Sequence, residues 1–306
     1  MVFPAVRILL VSALFGPIMA LAAESITVQN VGLAAPESVI HDTVDDVYYV
    51  SNINGGIATK DGNGFISRIA PDGKVLALKW ADGTTESTTL HAPKGMAIVG
   101  RRLYVADIDT VHLFDLATGA PQGSIPIPGA TFLNGLSALP SGELVGTESA
   151  LLVHGNTVTP TGKDFIYRIA TDRSISVIVQ SAELHQPNGI SALASGNFLV
   201  STRGAAEVYE LTPDGQKRNV RALSGNIVDG VGMAPDGRVF ASSWETSEVY
   251  AVAPDGEVSS PFGKLSAPAA DFHFDARRGR IPVAAVARQL RGAGPHPVMI
   301  CPGANA

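Results

Sequence analysis

Along the chain, short stretches of alternating apolar and polar residues run into corner motifs, and the combination recurs six times. The first copy is Ile66-Ser67-Arg68-Ile69-Ala70-Pro71-Asp72-Gly73. It returns as Val111-His112-Leu113-Phe114-Asp115, Ile166-Tyr167-Arg168-Ile169, Val208-Tyr209-Glu210-Leu211 and Val249-Tyr250-Ala251-Val252, with a weaker sixth at Val298-Met299-Ile300-Cys301. Successive copies start 45, 55, 42, 41 and 49 residues apart. Period-two alternation ending in Pro-Asp-Gly predicts a strand followed by a tight turn, because Pro presets φ, Asp bonds its local backbone and Gly accepts positive φ.

Two further phrases keep the same phase. Upstream of each copy lies a short segment rich in aromatic or β-branched residues, such as Val47-Tyr48-Tyr49-Val50, Leu103-Tyr104-Val105 and Phe198-Leu199-Val200. Such compositions favour strands. Each period opens on a phrase such as Pro36-Glu37-Ser38, Pro93-Lys94-Gly95, Asn134-Gly135-Leu136, Pro187-Asn188-Gly189 or Asp229-Gly230-Val231, with a looser copy at Pro268-Ala269-Ala270-Asp271. Three strand phrases and room for a fourth predict an all-β chain, a six-bladed β-propeller of four-stranded antiparallel blades. Residues 26–33 alternate weakly and are placed to add an outer strand to the last blade, which would close the ring and leave no open sheet edge.

Composition agrees with this reading. Gly and Pro supply 32 and 20 of the 306 residues, which excludes a long-helix bundle and suits many corners. Charged residues make up only 16%, the net charge is −6, and Lys and Arg form no cluster, so a nucleic-acid partner is excluded. The single Cys301 allows neither an internal disulfide nor a cysteine zinc site.

Residues 1–23 read as a secretory signal: Arg7, an apolar stretch over residues 8–15, Gly16-Pro17, and Ala20-Leu21-Ala22 as an Ala-x-Ala cleavage site. The expectation is cleavage near Ala22-Ala23, a single propeller domain over residues 24–306, and a periplasmic or secreted protein with no membrane span in the mature chain. Oligomeric state has no sequence signal.

In a propeller the opening phrase leads into the innermost strand, so its variable residue recurs around one mouth of the central channel. Read round the ring, that position gives Glu37, Lys94, Asn134, Asn188, Asp229 and Ala270, with Asp271 adjacent. Two carboxylates and two amides would converge there. Such a set of oxygen ligands suits calcium, whereas zinc would favour His or Cys. Taken singly, Asn134-Gly135, Asn188-Gly189 and Asp229-Gly230 are also common turn dipeptides. Asp61-Gly62-Asn63-Gly64 opens like a calcium loop but lacks its later ligands, and reads as a hairpin turn. Trp80 and Trp244 read as packing residues.

With these residues in phase, the chain resembles the senescence-marker-protein/gluconolactonase/luciferin-regenerating family of six-bladed propellers over about residues 30–290. The resemblance implies that Glu37, Asn188 and Asp229 bind one divalent metal, that Asn134 helps hold the substrate, and that Asp229 serves as general base in opening a lactone or related ester. It also marks departures: Gly135 stands where the enzymes commonly carry Asp, and Phe132 where many carry Arg. Lys94 occupies the second-blade position, where a cation would repel a metal or anchor an anionic ligand. The resulting expectation is a calcium-dependent hydrolase acting on a small-molecule substrate. A non-enzymatic binding or scaffold propeller using the same channel mouth is the alternative.

Overall fold

The computed structural model describes residues 25–85, 88–155, 157–285 and 298–302. The expected signal segment lies outside them. Among the described residues no helix is long and apolar enough to cross a membrane.

Six four-stranded antiparallel sheets follow one another along the chain. The first runs from Pro36–Asp42 through Val47–Asn52 and Phe65–Ile69 to Val75–Asp82, and the second from Pro93–Val99 to Pro121–Pro126. The third, fourth and fifth begin at Leu133–Ala138, Pro187–Ala192 and Val228–Met233. The sixth is built from Ala269–Phe272, Arg280–Ala285 and Val298–Pro302, and takes its outer strand from the other end of the chain: Ile26–Val28 pairs with Val298–Pro302 in the register Ile26↔Ile300. The ring is closed as the weak alternation before the first repeat implied.

Burial falls from axis to rim. Every residue of Pro36–Asp42 is buried, whereas Lys217–Ala222 on an outer edge is almost wholly exposed. Six of the hydrophobic clusters each bridge two neighbouring blades. Tyr49 and Ile66 pack against Leu103 and Phe114 between the first and second, and Val28, Val39 and Tyr48 pack against Ala284 and Ile300 between the first and sixth. The core is therefore distributed over the joints between sheets, which is why low charge and short apolar strands suffice.

Antiparallel pairing sets the end at which each connection emerges. Pro36 lies opposite Asn52, Pro187 opposite Thr202 and Val228 opposite Ser243. Connections from second to third strands thus leave the blades where the inner strands begin. The two long insertions, residues 53–64 and 151–164, both emerge at this mouth. The second contains a small hairpin, Leu151–His154 paired with Thr157–Pro160. Asp61-Gly62-Asn63-Gly64 lies within the first insertion and leans on the second blade, with Gly62 N donating to His91 Nδ1 at 3.0 Å.

Candidate functional site

Glu37, Lys94, Asn134, Asn188, Asp229 and Ala270 each take the second position of an inner strand, and all are buried. The register of each strand shifts at this point, between Pro36 and Ser38, Pro93 and Met96, Leu133 and Leu136, Pro187 and Ile190, Val228 and Val231, and Ala269 and Phe272. A bulge re-aims side chains and interrupts ladder pairing. Repeated six times, it presents one residue per blade at one level of the axis.

The Asn-Gly and Asp-Gly pairs are strand residues, so the turn reading does not hold for them. A different constraint explains the glycines. A Cβ on Gly95 would lie 2.5 Å from Asn134 O, one on Gly135 2.6 Å from Asn188 O, and one on Gly189 2.5 Å from Asp229 O. Neighbouring inner strands approach so closely that the third position has no room for a side chain. The first and sixth blades differ, with Ser38 and Asp271 at the third position. The Ser38 hydroxyl donates to Asp271 Oδ2 at 2.6 Å.

Second-strand hydroxyls tie the ring at this level. Thr147 Oγ1 accepts from Gly135 N at 2.8 Å and donates to Asn188 O at 2.5 Å. Ser242 Oγ accepts from Gly230 N at 2.8 Å and donates to Ala270 O at 2.6 Å. Ser201 links Gly189 N to Asp229 O in the same manner. Each hydroxyl satisfies a bulge amide in its own blade and the carbonyl of the site residue in the next.

The electrostatics are those of acids crowded out of water. Burial, then the nearby Asp229, raise the Glu37 carboxyl well above its ordinary range, with Lys94 opposing and Asp271 adding. Burial and then Asp271 raise Asp229, opposed by Trp244, Arg203 and Lys94. Burial raises Asp271 to about 6 against the hydrogen bonds from Ser38 and Phe272 N. Burial lowers Lys94, although Glu37, Asp107, Glu148 and Asp229 favour its charge. Lys94 Nζ donates to Ala92 O at 2.9 Å and lies 4.5 Å from the centre of the Phe132 ring.

Two oxygens test whether the expected ligand set fits a metal. Glu37 Oε2 and Asn188 Oδ1 are buried without a hydrogen-bond partner, while Asn188 Nδ2 donates to Val228 O at 3.0 Å and so fixes the amide. Buried acceptors without donors are costly unless a cation or donor meets them, and a carboxylate plus an amide oxygen are hard ligands. The donor chemistry fits a divalent cation. No cluster of three or more His, Cys, Asp or Glu suited to a metal is found among the described residues.

Sequence reasoning passed over several residues that matter here. Asp107 accepts from His91 N and Ala92 N at 2.7 Å each, and Glu148 from Thr131 N, Phe132 N and Ala150 N at about 3 Å. These carboxylates pin the segments leading into the second and third inner strands. Asp271 is a third acid of the site, and its signal was a polar residue in a register otherwise filled by glycine. Arg203 follows Thr202 directly at this mouth; Trp244 packs against the cluster between the first and last blades, as expected, and its indole also lies beside Asp229 and favours that carboxylate. His273, near an opening phrase in sequence, is on the opposite side. It lines a cavity of about 400 Å³ that enters the channel from the far mouth and reaches as deep as Asp271. Burial and the neighbouring His41 lower its imidazole to about 4.

Residues 57–269 match the family model described as SMP-30/Gluconolactonase/LRE-like region. Among solved structures, the chain is similar to a gluconolactonase from Xanthomonas campestris, with 16% identity, a TM-score of 0.68, and coverage of 92% of this chain and 90% of that one. A putative gluconolactonase gives 16% identity and a TM-score of 0.65, covering 94% and 95%. An inactive H270A virginiamycin B lyase from Staphylococcus aureus gives 11% and 0.61, covering 90% and 99%. At these identities the likeness concerns the fold. No curated protein gives a significant match.

Proposed function

The chain belongs to the SMP-30/gluconolactonase/LRE-like family, and from that premise we propose that it is an exported, divalent-metal-dependent hydrolase of lactones or related esters, with calcium as the ion. The observation that carries this reading is the pair of unpartnered buried acceptors, Glu37 Oε2 and Asn188 Oδ1, set at the same strand position as Asp229. Glu37, Asn188 and Asp229 would hold the ion. When bound, it would supply Lewis acidity toward the acyl oxygen and lower the pKa of nearby water.

The remaining chemistry falls to the chain's own groups. In hydrolysis the oxygen of water bonds to the acyl carbon, the acyl C–O bond breaks, and the departing alkoxide takes up a proton. Asp229 is the general base for the proton lost by water. Its burial beside Asp271 raises its basicity, which suits it to hold that proton and return it. A bound cation would work against this by lowering the same pKa, so Asp271 helps keep Asp229 basic. Asn134, buried at the same level on the third blade, offers an amide donor and acceptor to the substrate. Phe132 and Gly135 leave that side of the mouth with few polar contacts, which favours a compact substrate over a polyhydroxylated one.

The test is a panel of lactones and esters with calcium or with EDTA, together with thermal melts. A ligand bound only by the folded state at a hundredfold excess over Kd adds about 2.7 kcal/mol. Calcium-dependent turnover and a calcium-dependent melting shift, both lost in Asp229→Asn, are expected. A second reading, a non-enzymatic binding propeller, draws on Lys94, whose ammonium already compensates the acids of the site. A ligand-induced melting shift without turnover of any panel member would favour it.

A further inference from the structure

Arg203 stands apart from the other cations. Among the described residues it is the one arginine that is partly buried while its guanidinium has no hydrogen-bond or ion-pair partner. Its backbone, by contrast, is fixed. Arg203 N donates to Gln186 O and Gly204 N to His185 O, both at 3.0 Å. The two acceptors belong to consecutive residues with φ of 56° and 57°. Left-handed backbone at non-glycine residues costs about 1–3 kcal/mol each and persists where surroundings enforce it. Here the Asp164 carboxylate enforces it by accepting from Gln186 N at 2.6 Å, and a side chain at Gly204 would strike Gln186. The platform therefore holds Arg203 at the site mouth, beside the start of the fourth inner strand and within the field of Asp229.

Lys94 cannot take an incoming anion in the same manner. It is only 1% exposed, committed to Ala92 O and the Phe132 ring, and surrounded by four carboxylates. Arg203 keeps all its donors, and a planar guanidinium matches a carboxylate through two parallel hydrogen bonds. Building on the hydrolase reading above, we infer that Arg203 is the specificity-determining residue of this site, and that the preferred substrate is a lactone or ester carrying a free carboxylate. The guanidinium holds that carboxylate at the rim while the acyl carbon faces Asp229.

Binding and turnover test this separately. In titration calorimetry at neutral pH, tetrahydrofuroate should bind the wild-type protein about tenfold or more tightly than tetrahydrofuramide, the span expected of a charge-assisted pair. Arg203→Met should erase the difference, and Arg203→Lys should retain part of it. Both variants are expected to stay folded, since the guanidinium makes no hydrogen bond or ion pair and only its longer-range attraction to Asp229 is lost in Arg203→Met. In kinetics, γ-carboxy-γ-butyrolactone should outrun γ-butyrolactone, with the preference in KM and lost in Arg203→Met. Equal binding of the two probes by wild type, or a preference that survives in Arg203→Met, overturns the assignment. Absence of turnover with both lactones alongside an Arg203-dependent binding preference sustains Arg203 as the anion contact and overturns the hydrolase reading instead.

Discussion

The Ser38 hydroxyl donates to Asp271 Oδ2 at 2.6 Å across 233 residues of sequence. The bond joins the first blade to the last at the level of the candidate site, where the third inner-strand residue of the four intervening blades is glycine. It also favours, against the effect of burial, the ionised form of an acid that both Glu37 and Asp229 sense. Ring closure and site electrostatics therefore meet in one contact.

The sign of its pH dependence follows from the raised carboxyl. Asp271 titrates near 6 in the folded chain, against roughly 4 unfolded. The folded state binds the extra proton between those values, so stability falls as pH rises through that window and the penalty is complete above it. Two units correspond to roughly 3 kcal/mol. In EDTA, Asp271→Asn should flatten the fall measured by urea unfolding between acid and neutral pH. Glu37 and Asp229 leave a residual slope of the same sign. Ser38→Ala removes a donor to the ionised form and should carry the fall to higher pH. A slope in Asp271→Asn equal to wild type would refute the assignment.

Lys94 should oppose the metal and stabilise the metal-free protein. Removing one member of a buried charge group costs about 3–5 kcal/mol, so Lys94→Met is expected to melt lower than wild type in EDTA. The same variant loses a repelling charge and should gain calcium affinity, read as a larger calcium-induced melting shift. A smaller shift would mean that the ammonium aids the ion.

Glu37→Gln and Asn188→Leu separate stability from binding. Glu37→Gln replaces a costly buried carboxylate with a neutral isostere, so its EDTA melting temperature should equal or exceed that of wild type. The calcium-induced shift should vanish in both variants. Retention of the full shift in either one removes that residue from the ligand set.

Gly189→Ala tests the packing argument. The added methyl would meet Asp229 O at 2.5 Å and Ser201 Oγ at 3.0 Å. Overpacking of this kind costs about 1–3 kcal/mol, measured by urea unfolding. The strand carrying Asp229 has to move, so calcium affinity should fall as well. A neutral substitution would show that the joint is looser than the distances imply.

Ser242→Ala removes one hydroxyl tie, leaving Gly230 N and Ala270 O without that partner. Stranding a buried backbone group costs about 1–3 kcal/mol. The loss should be visible in unfolding and in faster amide exchange at Gly230.

Much of the molecule was legible in one dimension. Phase-locked alternation gave the six sheets, and the closing strand followed from the weak pattern before the first repeat. The level of Glu37, Asn134, Asn188 and Asp229 was legible because every inner strand starts from the same phrase. The role of the glycines was not. Asn-Gly and Asp-Gly read alike in a turn and in a bulged strand, and only the neighbouring blade reveals why no Cβ fits at Gly135 or Gly189. Asp271 was seen beside the phase residue Ala270 but not counted among the site acids, because it lies one position out of phase. Arg203 escaped notice because nothing in its own repeat distinguishes it from a surface arginine.

Local order along the chain thus determined the number of blades, the strand order within them and which residues share a level of the axis, since each depends on alternation and turn chemistry within some forty residues. Which groups touch across the axis was decided only by closing the ring. That step carries Asp271 to Ser38, crowds three acids and Lys94 out of water, and leaves Arg203 unpaired at the rim, because charge and contact between blades depend on distance in space and not on distance along the chain.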